Sequence, residues 1–112
     1  MSEQRVIIEM GIGNDLHGMN YTKAAIRAVQ DALHHSSLTI FRSLGLEPST
    51  MQIELTLAAQ EPEQIDLAAV AATLPYGQVT PKATKGGLNV VDDASGQKCV
   101  IVNAAIIVRL PL

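Results

Sequence analysis

Asp15 and His17 are the residues whose types and spacing could do chemistry. Two positions apart, a carboxylate and an imidazole share one side of an extended backbone, because side chains alternate with period two. The carboxylate can orient the imidazole, pair with a cation or help hold a metal. The imidazole, with a reference pKa near neutrality, can give or take a proton. Both lie in Gly11-Ile12-Gly13-Asn14-Asp15-Leu16-His17-Gly18. Gly11, Gly13 and Gly18 clear space for a ligand or another backbone, and with Asn14 they make this stretch read as a pocket wall. Downstream, Lys23 and Arg27 are four residues apart and share one face near a helix N-terminus, where free N–H groups and the macrodipole also favour anions. A small carboxylate- or phosphate-bearing metabolite suits that corner. The Lys85-Gly86-Gly87 turn can add backbone donors. Asn103, an amide inside an apolar strand, either ties a loop to the sheet or points into the site. Plainer readings stand beside these. Asp15 can cap a turn, His17 can satisfy a carbonyl, Lys23 and Arg27 can be a solvated face with Arg27 paired to Asp31, and His34-His35 can lie at a surface or interface.

The elements that would position these residues follow from hydrophobic periodicity. Arg5 to Met10 is a β-branched run that stops at Gly11 and reads as a first strand. Asn20 or Thr22 can cap a helix running to about Leu44, with Gly45 as its stop and Ile26, Val29, Leu33, Ser37, Ile40 and Leu44 as its apolar stripe. Met51 to Leu57 alternates strictly and reads as a half-buried strand. Glu61-Pro62-Glu63-Gln64 opens a short second helix over Ile65 to Leu74. Gln78 to Thr84 is a third strand, Asp92 to Gly96 an exposed turn, and Lys98 to Leu110 a long central strand covered on both faces. The order β-α-β-α-β-β rules out a doubly wound sheet, because the last two strands lack a helix between them. It predicts an α+β domain spanning residues 1–112, a four-stranded mixed sheet with two helices on one face. The chain has no spare element to cover the other face, so neighbouring subunits are expected to do so with closed cyclic symmetry.

Composition narrows the classes. The chain has 112 residues, 47% hydrophobic but only 3% aromatic, so its core must be built from aliphatic side chains. A formal net charge of −3 with no basic run argues against nucleic acid as a partner. No stretch reaches the ~18 apolar residues of a membrane span, and Met1 to Gln4 lacks the blocks of a signal peptide, so a cytoplasmic location is expected. The single cysteine, Cys99, lies in an apolar run and reads as a buried structural thiol. Neither a Rossmann fingerprint nor a P-loop is present, which leaves nucleotide cofactors unsupported.

Two resemblances rest on these residues. The GxGxDxHG stretch, with Thr22-Lys23-Ala24-Ala25, Gly86-Gly87-Leu88 and Asn103-Ala104-Ala105, resembles a small family of conserved hypothetical bacterial proteins of about this length. More distantly, the chain resembles methylerythritol cyclodiphosphate synthase, which opens with a strand followed by a similar G-x-D-x-H. Asp31-Ala32-Leu33, Pro81-Lys82-Ala83-Thr84 and Cys99 to Val108 extend that likeness. The second resemblance implies the Bacillus chorismate-mutase-like fold, a trimer, and a divalent ion such as zinc at Asp15 and His17. At the position of the synthase's third ligand, a histidine, this chain has Arg27, whose guanidinium has no lone pair to offer a metal. Two functions are therefore expected. One is a small-molecule enzyme of lyase, isomerase or hydrolase type acting on an anionic metabolite at a subunit-boundary pocket. The other is a non-catalytic metabolite-binding or structural homo-oligomer in which the motif is a turn.

Overall fold

A computed structural model describes residues 3–16, 18–34, 45, 50–74 and 77–111. In chain order the elements are β1 (Glu3–Asp15), α1 (Tyr21–His34), β2 (Gln52–Ala59), a 3-10 turn (Pro62–Gln64), α2 (Leu67–Ala71), β3 (Gln78–Lys85), β4 (Leu88–Val91) and β5 (Lys98–Pro111). The architecture is α+β with a mixed sheet, as the pattern of elements predicts. The sheet has five strands among the described residues, one more than expected. The additional strand is β4, whose four residues lie between Gly86-Gly87 and the Asp92 turn and are too few to show a period. Strand order is β1-β5-β2-β3, with β4 also paired to β5. β5 runs antiparallel to β1, β2 and β4, while β2 and β3 are parallel and joined through α2.

One face of the sheet is buried. Ile53, Leu55, Leu57 and Ala59 of β2 and Val100, Val102, Ala104, Ile106, Val108 and Leu110 of β5 point to the same side, where α1 and α2 pack. Each buried Val, Leu or Ile among them contributes about 1.5–3 kcal/mol of burial free energy, and each Ala less. The residues between them face the other way. β5 is thus covered on one face only, and Asn103 is exposed on the open face instead of being a buried amide. Cys99 is half-buried on that same face.

The helix side differs from the expected stripe in a way that explains the glycines. α1 presents Ala24, Ala25, Ala28, Val29 and Ala32 to the sheet, all fully buried, while Ile26 and Leu33 are only partly buried at its flank. β1 does not stop at Gly11. It continues to Asp15, paired with β5 throughout, and Gly11 and Gly13 lie against the helix backbone. A Cβ on Gly11 would stand 2.5 Å from the Ala32 amide nitrogen and closer still to the Ala28 carbonyl oxygen. Glycine on the strand and alanine on the helix let two backbones meet where larger side chains would hold them apart. Of the expected α1, Ser37, Ile40 and Leu44 lie outside the described residues. Gly45, the expected stop, has φ +67°, and the residues before it back to His35 lie outside the described residues.

The second helix is shorter than expected. Pro62 starts only a single 3-10 turn, Ile65 returns to extended backbone, and Asp66 then caps α2, its Oδ1 accepting from Ala69 N at 3.1 Å. No helix among the described residues is long and apolar enough to cross a membrane.

Candidate functional site

β1 ends with Asp15, and α1 begins six residues later, so the chain must reverse over the end of the sheet. Met19 makes that reversal at φ +50°, a left-handed conformation that costs a non-glycine residue about 1 kcal/mol. Hydrogen bonds hold it there. Asn20 caps α1, its Oδ1 accepting from Lys23 N at 3.0 Å. The Asp15 carboxylate is buried beneath the turn and accepts from Asn20 N at 2.9 Å through Oδ2. Gly18 lies hard against the same oxygen, 2.9 Å from where its Cβ would be.

Arg27 completes the arrangement one turn of helix further on. Its guanidinium donates to the Asn14 carbonyl oxygen at 2.7 Å and lies 3.8 Å from Asp15 Oδ1. The Asn20 N–H chiefly, helped by Lys23, the Gly18 N–H and Arg27, holds the Asp15 carboxyl below its ordinary range despite the opposing effect of burial. Asp15 is therefore a fixed negative charge at neutral pH. Of the two partners the sequence offers it, Arg27 lies within reach, and His17 is outside the described residues.

Above this carboxylate is a cavity of about 450 Å³ lined by Asp15, Leu16, Gly18, Asn20, Lys23 and Arg27. Four of these were expected from sequence. Asn20 was legible only as a cap, and Leu16 carried no signal beyond its place in the motif. Gly11 and Gly13 do not line the cavity, because they face α1. Asn14 reaches it only through the carbonyl bound to Arg27. Lys85, Gly86 and Gly87 lie at the β3–β4 turn, where Gln60 Nε2 donates to the Gly86 and Gly87 carbonyls at 2.9 and 3.3 Å. That turn ties β4 to the end of β2 and does not approach Asp15. His17 and His35 lie outside the described residues, and His34 is exposed at the end of α1 as described.

A second polar cluster, absent from the sequence reading, lies beside the first. Tyr21, buried at the start of α1, donates its hydroxyl to Glu61 Oε2 at 3.1 Å and accepts from Asn89 Nδ2 at 2.7 Å. Burial pushes the Tyr21 hydroxyl pKa up. Asn89 sits on the helix side of β4, paired with the same β5 residue, Val100, that pairs with Asp15 on the opposite edge. Periodicity could not show this, since Asn89 is one polar residue in a four-residue strand.

Among the described residues no three His, Cys, Asp or Glu side chains converge as a metal would need. Around Asp15 itself, a guanidinium and a backbone N–H supply positive charge to the two oxygens, and His17, the other expected ligand, lies outside the described residues.

Comparison with known proteins agrees with the fold. The chain is similar to the crystal structure of an FtsZ-like protein of unknown function from Nostoc punctiforme PCC 73102, with 37% identity over 98% of each chain and a TM-score of 0.86. A search of curated proteins returns no match. A family model described as conserved hypothetical protein (Lin0512_fam) matches residues 5–108, and the chain belongs to that family.

Proposed function

We propose that the Asp15 cavity binds a small anionic metabolite at Lys23 and Arg27, and that the chain is a small-molecule enzyme of lyase, isomerase or hydrolase type. The observation that supports this is the pair of cations on successive turns of α1, lining one cavity whose own carboxylate is already hydrogen-bonded to the backbone. Because Asp15 stays ionised, it positions Arg27, and proton transfer falls to His17. The cavity lies at a subunit boundary of a homo-oligomer, with a trimer as the first count to test. Ile8, Met10 and Ile12 support the oligomer: they line the open face of β1 at 51%, 70% and 54% exposure, beside Ile107 and Ala105 of β5. A contiguous aliphatic surface of this kind, on the order of several hundred Å², marks an interaction site.

Calorimetric titration of inorganic phosphate and small carboxylates into wild type, Lys23→Ala and His17→Ala tests the site. Binding lost in Lys23→Ala and kept in His17→Ala supports the assignment; binding unchanged in Lys23→Ala refutes it. Metal content on the same samples decides the synthase-like alternative. About one divalent ion per chain, lost in Asp15→Ala, would replace proton transfer with metal-assisted chemistry.

One observation favours the structural reading. Asp15 bridges the strained Met19 turn, so the motif can act as a latch between β1 and α1. In that case Asp15→Ala and His17→Ala would lower the melting temperature or the native mass together.

A further inference from the structure

Leu16 borders more than the Asp15 cavity. The same side chain, 53% exposed, forms one wall of a second groove of about 700 Å³ running over the β4–β5 hairpin. Val90, Val91 and Cys99 line that groove, with Asp92, Asp93 and Gln97 at the hairpin turn beyond them. A single exposed leucine requires no explanation. Here it joins a cationic cavity to an apolar trough, so a ligand crossing it meets positive charge first and aliphatic surface second. The far end has the opposite sign. Asp92 is held ionised by the Ser95 hydroxyl, which donates to it at 2.6 Å, and by the Ala94 N–H at 3.2 Å.

Resting on the anion-binding reading above, we propose that the ligand is an amphipathic monoanion. Its acidic group sits at Lys23 and Arg27, and its aliphatic part crosses Leu16 onto Val90 and Cys99. The pocket thereby selects against a second acidic group, because Asp92 and Asp93 face the distal end. Charge at one end, apolar contact in the middle and like-charge repulsion at the other make up the recognition.

The test is a titration of the full chain with straight-chain carboxylates from acetate to octanoate, with suberate and octanol as comparisons. Affinity is expected to rise about fourfold per added methylene once the chain passes Leu16. Octanoate should bind at least tenfold more tightly than either suberate or octanol. Val90→Ser, at an exposed position that lines the groove and not the anion cavity, should weaken the dependence on length while leaving acetate binding unchanged. Length-independent affinity, or a dependence that survives Val90→Ser in full, overturns this inference and leaves the anion site standing. Failure of acetate and phosphate together with every longer acid overturns both readings.

Discussion

Replacing Gly13 by alanine should lift α1 off the sheet. The added Cβ would stand 2.7 Å from the Arg27 carbonyl carbon and nearer still to Ala28 N and Ala24 O. These are backbone atoms, so no flexible side-chain end can swing away. Restoring ordinary contact near 3.5 Å requires the helix to move by about 1 Å along most of its packed face. Overpacking of this kind costs 1–3 kcal/mol, and a clash with rigid backbone belongs at the upper end, about 3 kcal/mol. Alanine's smaller unfolded-state entropy returns less than about 1 kcal/mol of that. For a domain near 100 residues each kcal/mol moves the melting temperature by about 4 °C, giving a net fall of about 8–12 °C. Gly96→Ala is the control. Gly96 has φ +73° with nothing near its Cβ position, so its cost is backbone strain alone, about 1–2 kcal/mol. Thermal and urea unfolding followed by circular dichroism measure both variants. A Gly13→Ala protein melting no lower than Gly96→Ala would refute the close-packing argument.

Other perturbations probe separate features. The depressed pKa of Asp15 stabilises the fold above its ordinary value of 3.8, and that contribution is lost as pH falls through the lower folded value. In urea midpoints, the stability gap between wild type and Asp15→Asn should hold from neutrality to about pH 5 and close below about pH 4. Tyr21→Phe removes the partner of both Asn89 and Glu61. It should cost about 1–3 kcal/mol by urea unfolding, because Asn89 Oδ1 is already buried without a hydrogen-bond partner among the described residues. Met10→Asp should lower the native mass seen by light scattering while the circular dichroism spectrum stays unchanged. Asp66→Ala removes the α2 cap and should cost about 1 kcal/mol.

Strict alternation made β2 legible, one residue early at its start and two short at its end, because one face is fully buried and the other is not. The same logic failed at β5, where an almost continuous apolar run was read as covered on both faces. Aliphatic residues on an open face look identical in sequence to those in a core. The α1 stripe was misread because weighting large side chains hides an alanine face. Only the facing glycines of β1 reveal it, and recognising them as facing requires the β1–β5 register. Those glycines were taken as site furniture when they are packing. Asp15, Gly18, Lys23 and Arg27 were brought together as expected, since all depend on local spacing around one turn. Tyr21, Glu61 and Asn89 could not be found, because three elements distant in sequence meet there.

The pairing of β1 with β5 sets the order in which the molecule can be assembled. Glu3 lies opposite Pro111 and Asp15 opposite Val100, so the longest ladder in the sheet joins segments separated by most of the chain. On a ribosome, β1 and its glycine-lined seat for α1 are made before α1, β2, β3 and β4 and wait for β5. The strand that carries Ile8, Met10 and Ile12 stays without its in-sheet partner until β5 has been made. Closing so long a loop is slow, and until it closes the β2–α2–β3 unit is the part able to form on local contacts. The end of β1 that builds the cavity therefore has its in-sheet partner only once β5 is in place.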